Sequence, residues 1–258
     1  MTEALEAQYR DSRNLRARQG LHQKYGKGDG VWDLLADLPL PAGGRVLEVG
    51  CGPGRFWASP AAATLRTDLS LTLTDFSPGM VDEALARVRD VGRWREVDGQ
   101  VANVCALPYA DAAFDAVFAM HMLYHAPDIE GAVGEIARVL RPGGLGVITT
   151  NSGDNFKALF ELRAQALAGP SMDGFWRFSL ESAPPILARH FASVKLLHLV
   201  DELVVTDPED VVAYLLSGHE TARSEEAKLR QVTRAAFAAD GGVFRVSRDT
   251  GAFLARKA

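Results

Sequence analysis

Cysteine is nearly missing from this chain: Cys51 and Cys105 are the only two in 258 residues, and neither sits in a CxxC or other ligand-spaced cluster. A disulfide framework and a structural zinc site are therefore not expected, and a reducing, cytoplasmic setting is. Long apolar runs are missing too. The charge-free stretches, such as Ala116–Pro127, reach about a dozen residues, well short of the roughly 20 that span a bilayer. The first residues, MTEALEAQYR, are polar and acidic, unlike a secretory signal. There is no cationic excess either. Lys+Arg 28 against Asp+Glu 33 leaves a net charge of −5, which argues against a long nucleic-acid footprint. What remains is 47% hydrophobic and 24% charged, an ordinary globular composition. It suits one α/β domain over 1–258 with a modest insertion.

The periodicity divides that domain into four parts. Residues 1–40 read as leading helices and 41–152 as an alternating strand–helix core. Residues 153–190 read as an aromatic-rich helical insertion, and 191–258 as a return to strands and helices. In the core, RVLEV, LTLTD and FDAVFAM are strands. A third strand region covers Trp94–Val97 and Gln100–Val104, and LGVITT follows Pro142-Gly143-Gly144. Helices are expected over Phe56–Leu65, Pro78–Val91 and the stretch after Asp128, whose Ile129, Ala132, Val133, Ile136 and Leu140 share a face. Val243–Ala255 reads as a terminal hairpin. Five apolar strands alternating with helices imply a parallel sheet covered on both faces.

The strongest local signal is VLEVGCGPGR, residues 46–55. A strand delivers the chain into a loop with Gly50, Gly52 and Gly54 at alternate positions, where backbone can approach a ligand closely. The dinucleotide spacing GxGxxG would need glycine at 55, which is Arg55. GxGxG preceded by the acid Glu48 suits a cofactor lacking a pyrophosphate. At the end of the next strand, Asp75 has two readings. It can accept hydrogen bonds from a ribose, or serve as an acid at the start of the helix opened by Ser77-Pro78; the glycine loop favours the ribose.

These segments, with LTLTDFSPGMV, NVCALPYADAAFDAVFAMHMLYHAPD and EIARVLRPGGLGVITT, resemble in order and separation the motifs of class I S-adenosylmethionine-dependent methyltransferases. The likeness is to the small-molecule, type 11-like kind, and covers about residues 45–151. The resemblance implies a Rossmann-like, mostly parallel seven-stranded sheet of order 3-2-1-4-5-7-6, its seventh strand antiparallel, with helices on both faces. It implies S-adenosylmethionine as cofactor. Glu48, Gly50, Gly52 and Gly54 would surround its methionine part, with Met120 also in contact. Asp75 would hold the ribose, and Phe76 and Met80 would flank the adenine. Asn103-Val104 stands where the family often has Asp-Ala; an Asn oxygen and the Val104 N–H can still meet the adenine.

The segment after the fourth strand offers His121 and His125 as contacts or as a general base, with hydrogen bonding inside the loop as the alternative. The leading helices resemble a cap in which Tyr25 or Arg18 covers the methionine end; Tyr25 is equally readable as a packing residue. The insertion, with Phe175, Trp176 and Phe178, resembles a substrate lid. The activity implied is methyl transfer to oxygen, nitrogen or carbon of a small molecule, by a monomer or homodimer needing neither membrane nor metal. Two alternatives are an RNA methyltransferase, which would gather Arg10–Arg18 and Arg87–Arg95 at the pocket mouth, and a non-catalytic binding protein. The second should have lost the glycines or Asp75.

Overall fold

The computed structural model describes residues 20–166, 177–217 and 225–258. The first part of the leading helices expected over 1–40, with Arg10–Arg18, and the lid residues Phe175 and Trp176 fall outside these residues. Seven strands form one sheet: β1 (Arg45–Val49), β2 (Ser70–Asp75), β3 (Glu96–Val101), β4 (Phe114–Met120), β5 (Leu140–Asn151), β6 (Ser193–Val205) and β7 (Phe244–Arg256). Their order is β3-β2-β1-β4-β5-β7-β6. β1 to β5 are parallel, and β7 runs antiparallel between β5 and β6. This is the Rossmann-like arrangement the motifs imply.

The central strands are apolar on both faces because both are covered. On one face Leu47, Val49, Val117, Ala119 and Ile148 pack against Val133 and Ile136 of the helix α2 (Ile129–Val139). On the other, Val46, Ala116, Phe118 and Val147 meet Phe56, Trp57 and, from the helix α1 (Pro78–Val91), Ala84 and Val88. Alternate residues of each strand thus serve alternate cores. Both helices end where their capping residues require. Ser77 accepts from the Met80 N–H, Pro78 opens α1, and Gly92 closes it in the left-handed conformation. Asp128 accepts from the Gly131 N–H to start α2.

Four expectations are corrected. Phe56–Leu65 is two 3-10 turns, Phe56–Ala58 and Ala62–Thr64, because Ser59 is extended (φ −87°, ψ 160°) ahead of Pro60. No α-helix therefore follows the glycine loop. The third strand region is one strand, Glu96–Val101. Pro142–Gly144 does not separate helix from strand: β5 begins at Leu140, with a register shift opposite β4. Val243–Ala255 is no hairpin, since β7 is a single long strand pairing β5 on one side and β6 on the other.

Between β5 and β6 lie α3 (Lys157–Ala166) and α4 (Ala183–Leu187); between β6 and β7 lie α5 (Pro208–Leu216) and α6 (Glu226–Ala239). α3, α5 and α6 share a third apolar cluster with Leu21 from the helical turn at 20–25. Lys24 and Tyr25 of that turn both donate to one Asp210 oxygen, at 2.6 and 2.5 Å, which ties it to α5. Among the described residues, no helix is long and apolar enough to cross a membrane.

Candidate active site

Parallel strands put all their carboxyl ends at one edge of the sheet, where open α/β folds bind ligands. The antiparallel β7 brings its early residues to that same edge, with Thr250 opposite Asn151. A cavity of about 440 Å³ runs along this edge, within the usual range for small-molecule sites. Its wall follows the strand order: Asp75, Phe76 and Met80 beyond β2, Glu48, Gly50 and Gly52 at β1, Met120 and His121 at β4, Asn151 and Ser152 at β5, Arg248 and Thr250 on β7.

The β1–β2 end is acidic and built from backbone. Glu48 is buried, and its Oε2 accepts the Trp57 indole N–H at 2.8 Å. Burial, with Asp75 adding repulsion, pushes the Glu48 carboxyl up to about 8. Asp75 accepts the Gly52 N–H at 3.0 Å and the Ser77 N–H at 2.9 Å. Asp75 thus fastens the glycine loop to the start of α1, and it also lines the cavity. Burial raises its carboxyl against the pull of those N–H groups. Cys51, also in the wall, has its thiol pushed well above its usual value by burial and by the nearby Glu48 and Asp75 carboxyls.

The two later glycines have different jobs. A Cβ on Gly52 (φ 51°) would meet no protein atom within 4 Å, so that position opens onto the cavity. A Cβ on Gly54 (φ 69°) would stand 2.9 Å from the Ala84 Cα and 3.0 Å from the Val88 Cγ2. Gly54 lets the loop touch α1 and is not in the cavity wall, contrary to the expectation that it surrounds the cofactor.

His121 holds a left-handed backbone (φ 52°) and donates its N–H to the Thr149 carbonyl and hydroxyl at 3.1 and 3.0 Å. Burial, with His22 as a neighbour, lowers its imidazole to about 4. His125 also lines the cavity, its ring 4.5 Å from that of Tyr124.

Three other candidates sit elsewhere. The Asn103 side-chain oxygen accepts the Cys105 N–H at 3.0 Å, within its own loop, and neither Asn103 nor Val104 is in the cavity wall. Tyr25 faces Asp210; the same turn offers His22 and Gln23 to the cavity instead. Sequence reasoning missed His22, Trp32, Phe156, Phe160, Tyr214 and Arg248, all in the wall. Among the described residues, no group of three or more His, Cys, Asp and Glu side chains could hold a metal ion.

The sheet order and the cavity across the carboxyl edge define a protein of the Rossmann-like class. Residues 47–148 match the family described as "Methyltransferase domain". Curated relatives include methyltransferase GfsG of Streptomyces halstedii, 40% identical over 112 residues, covering 43% of this chain and 39% of GfsG. Another is the 27-O-demethylrifamycin SV methyltransferase of Amycolatopsis mediterranei, 39% identical, covering 43% of this chain and 40% of that protein. The chain thus spans about two fifths of the length of these relatives. A similar solved structure is the Haemonchus contortus phosphoethanolamine N-methyltransferase 2 bound to phosphomonomethylethanolamine and S-adenosylhomocysteine. It has a TM-score of 0.60 at 19% identity, covering 99% of this chain and 60% of that one, and it likens the fold alone.

Proposed function

We propose that this protein transfers a methyl group from S-adenosylmethionine to oxygen, nitrogen or carbon of a small-molecule acceptor, as a cytoplasmic monomer or homodimer. The observation that carries the reading is the β1–β2 end of the cavity, which lies inside the stretch matching the methyltransferase family. The residues there fit the cofactor. Gly52 leaves open the space a Cβ would fill, and Asp75 keeps lone pairs for two hydroxyls after accepting two backbone N–H groups. Glu48 is a buried carboxyl that a nearby cation would ionise.

When bound, S-adenosylmethionine supplies an already activated methyl group, so the chain's work is binding, orientation and exclusion of water. Glu48 and Asp75 would hold the amino acid and ribose ends, with Phe76 and Met80 against the base. His121 and His22, both at about 4, stay neutral at pH 7 and add no positive charge beside a sulfonium. A neutral His121 can accept a hydrogen bond from an acceptor hydroxyl or amine without becoming protonated in bulk. At the far end, Phe156, Phe160 and Tyr214 supply an apolar wall from the insertion and α5, suited to a small or flat acceptor.

The RNA reading draws no support from Arg87–Arg95. Arg87 donates to the Pro53 carbonyl, Arg89 to Val97, and Arg93 to Ala63 and Leu65; Arg95 reaches Gly43 and Ser70. None of the four lines the cavity. The test is calorimetric titration of S-adenosylhomocysteine. Micromolar, one-to-one binding that is lost in Glu48→Ala supports the reading, and no binding by the folded wild type rejects it.

A further inference from the structure

Arg248 is 4% exposed and lines the cavity from β7, at the end opposite Asp75. β2 and β7 are four inter-strand spacings apart, about 19 Å at roughly 4.8 Å each. The guanidinium is half engaged. Its Nε donates to Asp201 Oδ1 at 2.6 Å and its Nη2 to the other oxygen of the same carboxylate, a two-pronged pair across β6 and β7. Nη1 carries two further N–H groups. Its one partner among the described residues is His22 Nδ1, at 3.5 Å, the outer limit of a hydrogen bond. A buried guanidinium is charged at any ordinary pH, and buried donors find acceptors.

The surroundings say which acceptor would complete it. Asp201 is 30% exposed, so water screens part of its charge while Arg248 keeps a positive edge toward the cavity. His22 is held neutral, at about 4, by burial and by Arg248 itself, and so contributes no second cation. Asp29 lies in the same loop, but its carboxylate accepts the Ala61 N–H at 3.2 Å. Gly26 and Gly30 flank Nη1: a Cβ on either would stand 3.1 or 3.3 Å from it. Beside this donor, Phe156 lies between the His22 and Tyr214 rings, with centroids 5.1 and 5.6 Å away. The site combines a planar cation with an aromatic wall, and the matching ligand is a flat apolar body ending in a planar anion.

We propose that Arg248 is a specificity-determining residue that anchors the methyl acceptor through a carboxylate. The proposal rests on the methyl-transfer reading and adds the acceptor's class to it: an apolar, flat carboxylic acid. Arg248 sits on β7, two strand spacings from β4, whose end carries His121.

The test uses the full chain saturated with S-adenosylhomocysteine, titrated with 4-hydroxybenzoate, cinnamate and 2-naphthoate and with the methyl ester of each. The acids should bind at least tenfold more tightly than their esters. Arg248→Gln combined with Asp201→Asn removes both charges together, strands neither, and should cut the preference below twofold. S-adenosylhomocysteine affinity should stay within threefold of wild type. Arg248→Lys, which keeps the charge and loses the fork, should give an intermediate preference. No preference for acids in the wild type, absence of binding by both series included, overturns the proposal. So does a preference that survives the double substitution. A parallel loss of S-adenosylhomocysteine affinity overturns it as well, by assigning Arg248 to the cofactor. Failure of the wild type to bind S-adenosylhomocysteine is a separate result, which removes the methyl-transfer reading and this one with it.

Discussion

Trp57 donates its indole N–H to Glu48 across 2.8 Å, and both side chains are buried at the acidic end of the cavity. This contact favours the ionised form of Glu48, and it is outweighed by burial, which leaves the carboxyl protonated until about pH 8. A cation arriving beside it reverses the balance. Binding of S-adenosylmethionine or S-adenosylhomocysteine at pH 7 should therefore release close to one proton. Calorimetry in two buffers of different ionisation enthalpy measures this directly, and a buffer-independent enthalpy would mean that Glu48 does not meet the cofactor's charge.

The same carboxyl should leave a mark on stability. Its folded pKa lies above the value of an exposed glutamate, so the folded state binds the extra proton. The stability involved is complete below about pH 4.5 and lost as pH rises through about 8. Glu48→Gln should be more heat-stable than wild type at pH 9, with a smaller advantage at pH 6. Melting curves at the two pH values decide.

His22 and His121 act in the opposite sense. Their folded values, about 4, lie below 6.5, so the unfolded chain binds more protons between those limits. Their contribution is complete above pH 6.5 and lost as pH falls through 4. His121→Asn, whose residue tolerates the left-handed backbone, should flatten the acid limb of the melting profile between pH 6.5 and 4. An unchanged limb would contradict a buried neutral His121.

Gly52 and Gly54 share a left-handed backbone, so alanine strains both by about 1–2 kcal/mol. Only the space differs. Gly52→Ala should weaken S-adenosylhomocysteine at least tenfold. Gly54→Ala should melt several degrees below Gly52→Ala, because its Cβ would press on Ala84 and Val88. Reversal of that pattern would exchange the roles assigned here.

Asp75→Ala should weaken the cofactor at least tenfold and also destabilise the free protein, since it strands the Gly52 and Ser77 N–H groups at about 1–3 kcal/mol each where water does not reach them. Asp75→Asn should fall between alanine and wild type in both measurements. Loss of stability with affinity intact would make Asp75 a fastening residue only.

The sequence was most readable where structure depends on neighbours in the chain. α1 is bounded by Ser77-Pro78 and Gly92, and its ends were legible for that reason. That Glu48, Gly50, Gly52, Asp75 and Met80 share one wall of a cavity was legible too, because they lie on consecutive elements. Phe56–Leu65 looked helical by composition, and one proline after an extended serine defeated it. Asn103 was assigned to a ligand by analogy, but its side chain closes its own turn. Arg248 was invisible. Its importance depends on β7 entering the sheet between β5 and β6 and on His22, 226 positions away, closing over it.

The cavity's two ends come from different parts of the chain. Residues 48–80 furnish the cofactor end, whereas the far end is drawn from 22–32, 151–160, 214 and 248–250. The stretch matching the methyltransferase family runs from 47 to 148 and contains none of the second set. On the proposed function, acceptor preference could therefore be rewritten in the laboratory without disturbing the glycine loop. Chimeras joined at 148 would exchange most of one recognition surface and leave the other whole.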